Sequence, residues 1–371
     1  MKRRHLLAAL PLLAAPSLVR AQAGPIRVTD INGRQVTLPR APRRIVLGQA
    51  RHVLAMALLH PDPVSLVVGW GDDLRRMNPP DYATVRARFP AADDVPIVGR
   101  AQGDGLSLEN VLAARPDLVI LSRGGARGGA SEMVDRIAAL GVPVITVDFF
   151  TNPMRDTRRS MAVLGQVLGQ EEKARAFEAL HAGRLERIAS RLSGLGAAER
   201  PKVMVHAHAG GTPCCGSPGH GAFDGMVSFA GGRNLGAEMI PGSTGQLALE
   251  YVLTQAPDVY VATGGPYGGR GGIPLGPGVD EAEARKALVE VIRRSRMDSL
   301  PAVRNGNAHA IWHGFNDTPA HVVMLEALAR WFQPARCGDL DPAATVAELN
   351  ARFLSIPMEG AHWVSLPPGA L

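Results

Sequence analysis

One internal repeat limits the possible folds more than any other feature. Residues 107–122 read SLENVLAARPDLVILS, and residues 248–263, 141 positions later, read ALEYVLTQAPDVYVAT. In each copy the apolar residues Leu108, Val111 and Leu112, or Leu249, Val252 and Leu253, recur at the spacing of one helix face. Proline then ends the helix, because the residue before it is pushed out of the helical region. The β-branched run after Asp117 or Asp258 has the make-up of a buried central strand. Two such units so far apart predict two similar lobes, since a solenoid needs a short period repeated several times.

The surrounding pattern alternates strand and helix. Strands are expected at 44–47, 65–69, 118–121 and 144–147, and again at 202–207, 259–262 and 308–311. This predicts an α/β fold: two Rossmann-like lobes with mainly parallel sheets and helices on both faces. Between them Gly169 interrupts a helical stretch, and Glu171 to Ser193 continues as one helix of about 35 Å at about 1.5 Å per residue. Its apolar face carries Phe177, Leu180, Leu185, Ile188 and Leu192. A helix of that length joining two lobes is a rigid strut; the alternative is one larger α/β domain with a long surface helix. The expected plan is a signal peptide at 1–23, an N-terminal lobe at 24–154, a helical linker at 155–199, and a C-terminal lobe with its C-terminal helix at 200–371.

The first 23 residues have the parts of an export signal: a basic start, an apolar run from Leu6 to Val19, and small residues Ala21 and Ala23. The run is too short, and too broken by Pro11 and Pro16, to span a bilayer. Arg3 and Arg4 resemble a twin-arginine signal, so the general secretory and twin-arginine routes both stay open. Of 40 basic residues, Lys2, Arg3, Arg4 and Arg20 lie here, leaving 36 against 34 acidic ones. That balance gives no reason to expect a nucleic-acid partner. The expectation is a periplasmic protein, exported by a cleaved signal. In an oxidising compartment Cys214, Cys215 and Cys337 favour one disulfide and one spare thiol. Cys337 with either neighbour is geometrically ordinary, and a bridge between Cys214 and Cys215 is the rarer form.

The segment from Thr29 to Pro39, Arg43 to Val46, Val67 to Trp70, the two repeats, Gly141 to Ile145 and Gly231 to Leu235 resemble, in order, periplasmic binding proteins for ferric siderophores and cobalamin. The resemblance covers nearly the whole chain after the signal. It implies a helix-linked two-lobed protein that captures an iron chelate or related small molecule and delivers it to a membrane ABC permease. Cobalamin and haem are alternatives in the same role. The family docks onto its permease through one acidic residue per lobe, and the matching positions are Glu109 and Glu250.

Ligands of open α/β sheets bind beyond the carboxyl ends of strands. The loops following strands there carry Trp70, Arg123, His208 to His220, and Trp312 to Asp317. Trp70, Trp312, His313 and Phe315 offer aromatic surface, and Arg123 is the expected charge partner of an anionic chelate, followed by Arg100 and Arg270. His208 and His220 complete the ligand set. His206, His208, Cys214, Cys215 and His220 also suggest a metal-dependent exported enzyme as an alternative. No nucleophile elbow, zinc-protease helix or phosphate-binding loop is present. A binding protein is therefore expected, with no catalytic residue, resident metal or cofactor.

Overall fold

The computed structural model describes residues 24–100, 105–123, 129–265 and 272–371; the signal-like segment and Arg270 lie outside them. The chain opens with an antiparallel hairpin, β1 (Ile26–Thr29) on β2 (Gln35–Leu38). It continues into β3 (Ile45–Leu47), β4 (Val67–Gly71), β5 (Ile97–Gly99), β6 (Leu118–Ser122) and β7 (Val144–Val147). These last form a five-stranded sheet ordered β5-β4-β3-β6-β7. All its pairings are parallel. Successive residues enter separate apolar layers. Ile45, Leu47, Leu118 and Ile120 pack into the main core, and Val46, Val119, Leu121 and Val144 into a second one. A sheet buried on both faces explains the unbroken apolar runs of the repeat.

The second half supplies β8 (Lys202–His206), β9 (Gly216–Pro218), β10 (Arg233–Asn234), β11 (Thr244–Gln246), β12 (Val259–Gly264), β13 (Ala308–Trp312) and β14 (Trp363–Leu366). Its main sheet is ordered β10-β8-β12-β13-β14 and is parallel except where β14 runs antiparallel to β13. Thus two mainly parallel five-stranded sheets are present, and the chain returns after its last helix as a strand that the sequence reading lacked. No described helix is long and apolar enough to cross a membrane.

The repeat survives in backbone detail. Its helices are Leu108–Ala113 and Leu249–Gln255, and each is followed at the matching position by a left-handed residue, Arg115 at φ 47° and Ala256 at φ 45°. The aspartate of each Pro-Asp turn then ties down the start of the adjacent strand. Asp117 accepts the backbone N–H of Arg44 at 2.9 Å, and Asp258 that of Lys202 at 2.7 Å. Proline stops the helix and aspartate sets the register of the sheet, once in each lobe.

Helix Pro153–Leu168 ends at Gly169 in the left-handed conformation, and Glu171–Arg191 follows. The two pack together closely: a Cβ on Gly165 would lie 2.4 Å from that of Ala174. The first packs on β1 and β7, the second on helix His321–Phe332 of the other lobe. The long helix is therefore one half of a packed pair rather than a free-standing strut. A second crossing was not foreseen. After helix Pro342–Arg352 the chain runs back over the first lobe, where Ser355 donates its N–H to Ala57 O at 2.9 Å and its hydroxyl to His60 O at 2.9 Å. Lys173 on the long helix holds Phe353 O at 2.9 Å.

Seven described histidines sit at depressed pKa because burial disfavours their charged form. His206, His313, His321 and His362 fall to about 4, His52 and His309 to about 3, and His181 lies well below the ordinary range. Once unfolded, these rings take protons near pH 6.5. Acid therefore favours the unfolded chain increasingly as pH falls from about 6.5 towards 4. Burial of Asp73, Asp81, Asp317 and Glu326 raises their pKa and acts in the opposite sense, but on fewer groups. The melting temperature should fall steadily across that window in calorimetry. A flat profile would show that the imidazoles take up protons without unfolding.

Candidate ligand cleft

The carboxyl ends of strands from both sheets open on one cleft of about 100 Å³. The first lobe lines it with Gln49 and Arg51 after β3, Asp73 after β4, and Asn78 and Asp81 beyond. The second contributes Gly264 and Gly265 at the end of β12, then Trp312, His313 and Asp317 after β13. This is the strand-end placement expected of ligand sites in open α/β sheets.

Arg51 is the cleft's central cation. Its Nε and Nη2 donate to Gln49 Oε1 at 3.2 and 3.0 Å, and its Nη1 meets Asp317 Oδ2 at 2.5 Å across the cleft. The exposed ring of Phe150, after β7, faces its guanidinium at 5.7 Å. Asp73 fixes the loop beneath, accepting the N–H of Ala50 at 2.7 Å and of Arg51 at 3.2 Å. Ser122, the last residue of the first repeat, donates to Gln49 Oε1 and lies 3.0 Å from His52 Nε2. Opposite, the rings of His208 and His313 lie tilted against each other with centroids 4.1 Å apart and share Thr263: His208 N–H donates to its hydroxyl at 2.9 Å, and His313 Nδ1 lies 3.2 Å from it.

The electrostatics differ from a simple anion trap. Among the described residues the cleft wall carries one arginine, Arg51, with buried Asp73 and Asp81 and half-buried Asp317. Burial raises Asp73 and Asp317 despite the nearby Arg51 charge, and pushes Asp81 up to about 7 despite the hydrogen bond from Asn78. The His313 ring is neutral at ordinary pH, lowered to about 4 by burial first and by Arg51 second.

The aromatic residues divide. Trp312 is at the cleft, edge-on to Phe315 at 5.2 Å and to His362 at 5.2 Å. Phe315 is fully buried behind it and supports the indole rather than facing the cleft. Trp70 lies elsewhere: β4 runs on to Gly71, and the Trp70 side chain turns into the core, edge-on to Tyr82 at 6.3 Å. The expected loop position was wrong because the strand is longer at its carboxyl end.

The expected cations also moved. Arg123 is committed to its own lobe, donating to Ile31 O at 3.0 Å and lying 3.7 Å from buried Asp156. Arg100 is exposed and donates its N–H to Gly105 O. Neither lines the cleft, and Arg270 lies outside the described residues. Arg51 was missed although the loop after β3 is a strand-end loop by the same rule.

The histidine-cysteine cluster does not assemble. β8 stops at His206, which is buried with Nδ1 2.8 Å from Tyr260 OH, while His208 sits at φ 49° beyond it. His220 is exposed at 3.8 Å from Asp224, against a separate concavity lined with Arg233 and Glu238. The disulfide joins Cys214 to Cys215, and Cys337 is a buried free thiol. Among the described residues no group of three histidine, cysteine or acidic side chains is placed to hold a metal ion.

The model of the family described as periplasmic binding protein matches residues 56–311. The chain belongs to the periplasmic binding protein family. That is a family of binding proteins, not of enzymes, so the expected absence of a catalytic role follows from membership. The vitamin B12-binding protein of Yersinia pestis (strain Pestoides F) is 29% identical over 167 residues, 44% of this chain and 55% of that protein. The chain thus spans about half the length of the curated relatives it matches. Among solved structures, the TroA-like periplasmic binding protein FepB of Veillonella parvula matches with TM-score 0.80 and 23% identity, over 92% of this chain and 100% of that one. The molybdate periplasmic binding protein MolA of Haemophilus influenzae matches with TM-score 0.64 and 17% identity, over 88% and 97%. These likenesses establish the two-lobed fold.

Three glycines surround the Trp312 ring: a Cβ on Gly314 would lie 2.1 Å from it, on Gly276 2.7 Å and on Gly265 2.9 Å. Gly314→Ala should therefore displace the indole, lower stability by about 1–3 kcal/mol through overpacking, and shift tryptophan emission to longer wavelength. Unchanged emission and an unchanged denaturation midpoint would show that the ring is not held by this cradle.

Proposed function

We propose that this chain is the periplasmic solute-binding component of an ABC importer, holding an iron chelate between lobes 24–154 and 200–371 and passing it to a membrane permease. The observation that carries this reading is the cleft at the strand ends of both sheets, where Arg51 of one lobe meets Asp317 of the other. A guest there touches both lobes, which is how capture would be coupled to their relative position.

The charge pattern narrows the cargo. A ferric tris-hydroxamate balances three singly negative groups against one Fe³⁺ and is neutral, whereas a ferric tris-catecholate carries three negative charges. Among the described residues Arg51 is the cleft's arginine, and its charge is already paired with Asp317, which disfavours the second. Arg51 and the imidazoles of His208 and His313 would face the chelate's oxygens, and Trp312 would cover its apolar side. Cobalamin is the second reading, supported by the relatives named as vitamin B12-binding proteins.

Titration of the protein without its first 23 residues, followed by tryptophan fluorescence and checked by calorimetry, should give saturable binding of a neutral ferric hydroxamate. Binding should be at least about tenfold weaker for ferric tris-catecholate, a difference of about 1.4 kcal/mol. Preference for cobalamin or haem in the same panel would reassign the cargo, and no binding across the panel would refute the reading.

Glu109 and Glu250 are both exposed in the first turns of the two repeat helices. As permease contacts they would present one negative charge from each lobe. The double substitution Glu109→Ala with Glu250→Ala should leave ligand affinity unchanged and reduce import in cells by about tenfold or more, the loss of two charge contacts of about 0.7 kcal/mol each. Unimpaired import would remove both residues from the docking surface.

A further inference from the structure

The cleft adjoins a second space of about 60 Å³ whose wall is mainly apolar. Leu54, Asp81, Trp312 and Thr318 border both compartments. Apart from Thr84 and His362, the remainder of the second wall is apolar, with Leu58 from the first lobe, Pro277 and Pro319 from the second, and Ile356, Pro357 and Met358 from the segment that crosses between them. Three of these are prolines, which have no N–H to donate, so much of the wall offers little to a polar guest. Met358 adds an unbranched, polarisable side chain that adapts to irregular apolar shapes.

Most of its polar groups have partners, the exception being the buried Thr318 hydroxyl at the border with the cleft. Asp81 is bonded by the Asn78 amide, Thr84 donates its hydroxyl to Pro80 O at 3.1 Å, and His362 Nδ1 lies 3.0 Å from Gly360 O. Beside an open polar cleft stands an apolar compartment built from both lobes and sharing the Trp312 wall with it.

We infer that this compartment receives an apolar arm, a short alkyl chain or a single aryl ring, of the same ligand whose polar part lies against Arg51. The cargo is then an amphiphilic chelate. The assignment of the polar part rests on the preceding reading; that of the apolar part rests on the composition of this wall and its continuity with the cleft. Because the wall draws on both lobes and on the 354–358 crossing, a seated arm bridges all three.

Two ferric complexes with identical iron-binding groups separate these claims: ferric tris-acetohydroxamate and ferric tris-hexanohydroxamate, compared by equilibrium dialysis. The longer chains should tighten binding by more than about tenfold, the effect of burying about two methylenes. That gain should vanish in Met358→Glu and in Thr84→Phe, which charges or fills the compartment, while acetohydroxamate binding is kept. Met358 bonds Asn350 through its backbone, with N–H donating at 2.9 Å and O accepting at 3.0 Å, so its side chain can be exchanged without losing those bonds. Equal affinity of the two complexes, or a gain that survives both variants, overturns the inference and leaves the iron-chelate reading standing. If neither complex binds, the iron-chelate reading fails, and 8-anilinonaphthalene-1-sulfonate decides the compartment alone. Enhanced emission lost in both variants supports an apolar-arm site, and no enhancement, or enhancement kept in both, overturns it.

Discussion

The molecule depends on two parallel sheets being held with their carboxyl ends towards one another. Parallel strands gather loops of one kind at one end, so each sheet alone offers half a site. What makes them a whole site is the pair of crossings. Helices Pro153–Leu168 and Glu171–Arg191 pack at Gly165 and Ala174, and the return at Ser355 hydrogen-bonds the first lobe at Ala57 and His60. The two sheets are thus joined through packed contacts at two places rather than one.

Within that frame the cleft is organised around one guanidinium. Arg51 is positioned by its own lobe through Gln49, and the loop carrying it is pinned by Asp73, so its location does not depend on the partner lobe. Asp317 then reaches it from across the gap. In the proposed role, a guest that takes hydrogen bonds from Arg51 would compete with a carboxylate already in place.

Much of this architecture was legible because it repeats. A proline after a short amphipathic helix and an aspartate before a β-branched run have the same physical consequences at Asp117 and Asp258, so both lobes were recognisable. The carboxyl-end rule located Trp312 and His313 correctly at the cleft. It failed for Trp70 because a one-to-two-residue extension of β4 turns a loop residue into a core residue, and strand alternation then dictates the side it faces. It passed over Arg51 although the strand before it was expected at 44–47, because nothing local distinguishes that arginine from a surface one; its partner Asp317 is 266 residues away. Arg123 was misassigned for another reason: a formal charge says nothing about partners distant in sequence, and Ile31 and Asp156 had already claimed it. The crossing at residues 353–358 and strand β14 depend on tertiary contacts that no local pattern announces.

The glycine cradle of Trp312 has an evolutionary consequence. Most core side chains have neighbours that lean in when one of them shrinks. Around this indole, Gly265, Gly276 and Gly314 have nothing to lean with, and the first two hold left-handed backbone that disfavours acquiring a side chain. A smaller residue at 312 would therefore add nearly its full lost volume to the cleft, and a return to tryptophan would remove it again. The size of cargo that the scaffold admits is controlled largely by one codon, and descendants of this chain could change guests there without rebuilding either sheet.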